Sequence, residues 1–117
     1  MAVTVDEMAA HWRRLRAESQ VRADARSQQI RSRLPEAKRL LTERYGARRV
    51  VLFGSFARRD TTERSDVDLA VEGLDPAGYF TAIADLTGLL DTPVDLVEIE
   101  RAPASLLARL ALEGIDL

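Results

Sequence analysis

Hydrophobic and polar positions along this chain change period several times. From about Val5 to Arg33 there is no glycine or proline, and Met8, Trp12 and Leu15 recur three to four residues apart, which predicts a helix with Thr4 or Asp6 as its N-cap. The apolar stripe thins beyond Leu15. Pro35 predicts the start of a second helix, at the position where a missing N–H costs nothing, with Ala37, Leu40, Leu41 and Tyr45 inward and Gly46 as its stop. Residues 48–53 and 67–71 are short apolar runs of strand length, separated by a polar loop or short helical turn from Phe56 to Arg64.

Gly73 and Asp75-Pro76 punctuate the chain before a further helix, where Phe80, Ile83, Leu86 and Leu90 repeat at helical spacing and are expected to lie on the sheet. Thr92-Pro93 ends that connection. Val94 to Ile99 is a third strand, with Asp95 and Val97 on one face, Val94 and Leu96 on the other, and a central place in the sheet implied by its apolar residues. Pro103 opens a last helix with Leu106, Leu107 and Leu110 inward and Gly114 at its end, and residues 115–117 are a short strand or simply the terminus. The fold class is α/β (α+β): a small mixed β-sheet from strands near 48–54, 67–72 and 93–99, with helices packed against one face and the active site on the open side.

A chain of 117 residues supports one core, so the reading is an N-terminal helical extension, 1–34, on a single domain, 35–117. A net charge of −2 gives no case for bulk nucleic-acid binding. The charge is uneven, however. Between His11 and Arg33 seven arginines (13, 14, 16, 22, 26, 31, 33) face two acids, Glu18 and Asp24, a local +5. Such a helix is a solvated face, a basic arm for RNA, or a docking helix for an acidic partner. With so few apolar positions it is expected to bury little against its own domain and to dock on a partner or a second copy of the chain, with Trp12 in packing or at that contact. No cysteine is present, which removes disulfides and thiolate metal sites and fits a reducing cytosol. No signal peptide or membrane span is expected, and the predicted location is cytoplasmic.

The chemistry concentrates between Val50 and Val71. Gly54 has no Cβ and lets a ligand approach the backbone, and Ser55 adds a hydroxyl beside free N–H groups. After ten intervening residues come Asp66 and Asp68, on one face of a strand with Cα atoms about 6.6 Å apart. Two like charges beside apolar Val67 and Leu69 repel unless a cation sits between them, and a divalent metal carrying a nucleoside triphosphate is the natural occupant. The bland alternatives are acids satisfying loose donors at a turn, and Ser55 as a helix N-cap. Arg58 and Arg59 are phosphate clamps or surface charge, and Ser65 orders the Asp66 turn or touches the nucleotide.

Leu52-Phe53-Gly54-Ser55-Phe56-Ala57-Arg58, ten residues from Ser55 to the aspartates in Ser65-Asp66-Val67-Asp68-Leu69, and Asp95 on a later strand together resemble the minimal nucleotidyltransferases (MNT) of the DNA polymerase β-like superfamily. The resemblance covers about Pro35 to Leu117 and departs at Arg59, where the family often has Gly. It implies a polymerase β-like core and two Mg²⁺ ions held by Asp66, Asp68 and Asp95, with Asp95 near the attacking hydroxyl and a candidate base. It implies ATP as substrate, gripped by Gly54, Ser55, Arg58 and Ser65. Its usual setting is a toxin–antitoxin pair, in which the MNT protein adds AMP to a tyrosine of a HEPN-domain ribonuclease. Two other classes stay open: a non-catalytic antitoxin that neutralises by docking, and a small-molecule (antibiotic) nucleotidyltransferase, which normally needs a further helical domain.

Overall fold

The structure, a computed structural model, describes residues 2–117. Its first helix, α1 (Val5–Arg39), opens with a reciprocal cap: the Thr4 hydroxyl accepts from the Glu7 N–H at 3.1 Å, and the Glu7 carboxylate accepts from the Thr4 N–H at 3.4 Å. Pro35 does not start a second helix, as its residue type had predicted, but lies inside α1. An interior proline removes one backbone bond and strains the turn before it, a cost of about 3 kcal/mol. Ile30, Leu34 and Leu41 are all buried along the stripe that runs through it, and each contributes about 1.5–3 kcal/mol, which outweighs that cost. A π-turn (Leu40–Arg44) then loosens the helix, and Gly46, at φ +76°, lets the chain leave it.

The remaining elements are β1 (Arg49–Phe53), α2 (Ser55–Arg58), β2 (Val67–Glu72), α3 (Tyr79–Leu90), β3 (Val94–Glu98), α4 (Ala104–Glu113) and β4 (Ile115–Asp116). Among the described residues they form one mixed sheet in the order β3-β2-β1-β4. β1 pairs antiparallel with β2 and β4, whereas β3, returned by α3, runs parallel to β2. The tail 115–117 thus does contribute a strand. β3 is an edge strand, not the central one its apolar residues had implied, because α3 covers its Val94 and Leu96 face.

Alternation sorts the strand residues into two layers. Val50, Leu52, Val67, Leu69, Val71 and Leu96 form the main core with Ile30, Leu34 and Leu41 from the first helix and Leu86 and Leu90 from α3. Val51, Phe53 and Ala70 point the other way and meet Leu106 and Leu110 of α4. Helices therefore cover both faces, correcting the expectation of one covered and one open face. Two inward assignments also fail. Phe80 is 82% exposed, since the buried stripe of α3 runs through Ala82, Leu86 and Leu90, and Leu107 is 42% exposed because only the narrow Leu106–Leu110 edge of α4 touches the sheet.

The basic helix divides in two. Ala23, Ser27, Ile30, Leu34 and Ala37 are buried at alternating four- and three-residue steps, so the second half of α1 packs on the domain, contrary to the expectation that the whole stretch stands off it. Val5, Met8, Trp12 and Leu15 have the same kind of spacing and remain exposed.

Candidate active site

The site grows from strand register. Phe53 at the end of β1 lies opposite Asp68 on β2, and Asp68 lies beside Asp95 on β3. All three sit on the face that carries α4. Directly after Phe53 the backbone turns at Gly54, φ +73° and ψ −154°, a conformation that side-chain-bearing residues rarely adopt. A Cβ there would also overlap the Asp68 carboxylate. Gly54 is thus required twice, once by its backbone and once by the carboxylate pressed against it. Gly54 itself holds the N-cap position, and Ser55 is the first residue of α2 rather than its cap.

The structure brings Asp68 and Asp95 together and leaves Asp66 exposed just before β2. Burial, the charge of Asp95, a hydrogen bond with it, and the more distant charge of Asp66 push the Asp68 carboxyl up to about 6, against the pull of Arg109. Among the described residues no three acids form a preassembled metal cage. The donor chemistry nonetheless fits a divalent cation, since Asp68 is half-buried among like charges that the protein itself balances poorly. An open cleft of about 380 Å³ over the edge of β3 is lined by Phe53, Asp68, Asp95, Leu106 and Arg109 among others, within the size range of small-ligand sites.

Arg58 is exposed at the end of α2, paired with Asp60 at 3.0 Å and with Glu113 at 3.0 Å. The Ser65 hydroxyl accepts from the Thr62 N–H at 2.8 Å and so orders the loop before Asp66. Arg59 takes φ +63° at the end of α2, the left-handed region, which accounts for a Gly preference at this point.

Two residues at the site escaped sequence reasoning. Glu113, at the end of α4, accepts from the Gly54 N–H at 3.2 Å and pairs with Arg58 and with Arg109 at 3.2 Å, tying the glycine turn to the last helix. The Arg58 hydrogen bond, helped by the Gly54 amide and Arg109, holds the Glu113 carboxyl below the ordinary glutamate range despite some burial. Arg109 reaches over the Phe53 ring at 5.7 Å and faces Asp68. In sequence Arg109 and Glu113 are merely an i,i+4 ion pair on an exposed-looking helix; the signal available was that α4 ends immediately before a strand pairing with β1.

Residues 36–117 match the family model "Polymerase beta, Nucleotidyltransferase". A Methanocaldococcus jannaschii protein named a "putative protein adenylyltransferase" is 39% identical over 72 residues, spanning 59% of this chain and 74% of its own length. Among solved structures, a "putative minimal nucleotidyltransferase" superposes with TM-score 0.68 at 32% identity, covering 78% of this chain and 95% of the other. A chain of a toxin–antitoxin complex with AMP-PNP superposes with TM-score 0.61 at 26% identity, covering 69% of each chain. A complex of tri-AMPylated Shewanella oneidensis HEPN toxin with MNT antitoxin shares the fold, with TM-score 0.60 at 24% identity over 74% of this chain and 70% of the other. The chain belongs to the polymerase beta nucleotidyltransferase family. Among the described residues no helix is long and apolar enough to cross a membrane.

Proposed function

We propose that this protein transfers AMP from ATP to a hydroxyl, a tyrosine's, of a partner HEPN ribonuclease toxin, and thereby acts as its antitoxin. The observation that carries the reading is the Gly54 turn pressed onto Asp68, with Asp95 alongside on the next strand. The toxin–antitoxin and adenylyltransferase relatives support the partner and the reaction.

In the reaction the acceptor oxygen attacks the α-phosphorus, the bond from that phosphorus to the bridging oxygen breaks, and pyrophosphate leaves. Asp66, Asp68 and Asp95 would hold Mg²⁺, which when bound neutralises phosphate charge and lowers the pKa of a nearby hydroxyl. Asp95, exposed in the cleft, would take the acceptor's proton. Ser55 donates its hydroxyl to a phosphate oxygen, Arg58 and Arg109 add positive charge, and Glu113 keeps both guanidiniums turned toward the Gly54 turn. The exposed Met8, Trp12 and Leu15, beside Arg13, Arg14 and Arg16, offer the partner a contact surface.

The test is co-expression with a helical ribonuclease partner, followed by intact-mass measurement of that partner. AMP-sized increments that vanish with Asp66→Asn/Asp68→Asn, together with release of toxicity, are expected. Neutralisation that persists in the folded double mutant without any mass increment would overturn catalysis and leave a docking antitoxin.

A further inference from the structure

The loop between Ser55 and Asp66 carries the two halves of the site, and it holds itself together weakly. Thr62 and Ser65 make a local turn, with Thr62 N–H to Ser65 Oγ at 2.8 Å and Ser65 N–H to the Thr62 carbonyl at 3.3 Å. Arg58 ties its start to Asp60 and to Glu113 of α4, each at 3.0 Å, and its other side-chain anchors come from the first helix. Arg22 pairs with Glu63. Arg26 donates from one end of its fork to the Ser65 carbonyl at 2.9 Å and from the other to the Thr92 hydroxyl. Arg31 donates to the Phe56 carbonyl and to Ser27 Oγ at 3.2 Å, with its guanidinium 5.8 Å from the Phe56 ring.

The acceptors are not scattered. Phe56 follows Ser55, Ser65 precedes Asp66, and Thr92 lies three residues before Asp95. The two acceptors of Arg26 stand at the starts of neighbouring parallel strands, which are also joined there by the Val67 N–H donating to the Pro93 carbonyl at 3.1 Å. A planar guanidinium with two donating ends holds two such points at a set spacing, whereas the three donors of an ammonium radiate from one nitrogen and impose no such spacing. Arg26 is half-buried, and all of residues 22–33 lie outside the matched family region, 36–117.

We propose that Arg26 is a positioning residue for nucleotidyl transfer: it sets the spacing between the strand start bearing Asp66 and Asp68 and the strand start bearing Asp95, while Arg31 holds the nucleotide turn. The proposal rests on the transfer reading of the site. It predicts a split in kinetics. A carboxylate displaced by about 1 Å costs on the order of 10²-fold in rate, so Arg26→Gln lowers kcat by about that factor and leaves KM for ATP within about twofold. Arg31→Gln acts mainly on KM. Arg26→Lys keeps the charge but lacks the rigid fork that sets the spacing, so it recovers only part of kcat.

The deciding measurement does not depend on activity. In full-length protein without nucleotide, amide hydrogen exchange is compared between wild type and Arg26→Gln. Faster exchange across residues 60–67, with Val50–Leu52 of β1 unchanged, is the expected result. Unchanged exchange in the loop overturns the bracket, and so does acceleration that spreads equally into β1, which would mark Arg26 as a general stabiliser. If wild type transfers no AMP while the loop still loosens in Arg26→Gln, the transfer reading fails and the bracket stands as a structural one. Normal kcat in a variant whose loop has loosened removes the positioning role.

Discussion

Two charged regions of this molecule, on opposite faces of the sheet and joined by the loop 59–66, are built on opposite rules. On the second half of α1, Arg22, Arg26, Arg31 and Arg33 each have a partner within the chain: Glu63, the Ser65 carbonyl and Thr92, the Phe56 carbonyl, and the Leu89 carbonyl. Around the cleft, Asp68 leans on Asp95 with Asp66 nearby, and Arg109 is the cation that pulls the other way. The first region gives its guanidiniums hydrogen-bond acceptors and gains a fixed loop. The second leaves charge unbalanced, which costs stability and marks where a charged ligand belongs.

Truncation tests the satisfied side and has the largest expected effect. Removing residues 1–33 takes away the buried Ala23, Ser27 and Ile30 and all four anchoring arginines, a loss of at least about 4 kcal/mol against a total of about 5–15 kcal/mol for a domain of this size. Removing residues 1–20 takes no side chain that is buried among the described residues, only exposed ones such as Trp12 and Leu15 and a few half-exposed small ones, and should change unfolding free energy by less than about 1 kcal/mol. Urea denaturation of the two truncations decides it. Equal stability would mean that the arginine anchors and Ile30 contribute nothing.

Much of this contrast was hidden in the sequence for physical reasons. The Gly54 turn and the three longer strands were legible, since a positive φ and a strand alternation are local demands on residue type, whereas Asp66, expected on one strand face with Asp68, lies before β2. The fate of the basic helix was not. Met8, Trp12 and Leu15 repeat like Ile30, Leu34 and Leu41, and periodicity states which side of a helix is apolar without stating whether anything covers it. Nor does an arginine announce a backbone carbonyl as its partner, as Arg26 and Arg31 show. Pro35 misled because local preference was overruled by the burial of the residues flanking it.

The unbalanced side is tested by pH. The Asp68 carboxyl titrates near 3.8 in an unfolded chain and at about 6 in the folded one, so the folded state holds its proton more tightly. Stability therefore falls as pH rises from about 4 through about 6 and stays lower above that. Asp68→Asn removes this penalty. In chelator-treated buffer the variant should be more stable than wild type by about 1 kcal/mol near pH 8, after discounting for the solvent that reaches this half-buried group, and the gain should vanish near pH 3. A variant less stable than wild type at pH 8 would show that the carboxylate is balanced after all.

The smallest expected effect lies where the two regions meet. Arg59 adopts φ +63°, which costs an L-residue about 1–2 kcal/mol, and its charge, after burial, contributes to holding the Arg31 guanidinium below its ordinary pKa. Arg59→Gly relieves both strains, while the extra freedom of glycine in the unfolded chain offsets about 0.5–1 kcal/mol. The net expectation is a gain of about 0.5 kcal/mol, read as a rise in denaturation midpoint with unchanged slope. Arg59→Ala separates the causes, because it removes the charge and keeps the left-handed backbone. If alanine stabilises as much as glycine, like-charge repulsion with Arg31 is the larger strain; if only glycine does, the backbone is, and the arginine anchors of α1 tolerate a neighbouring cation without loss.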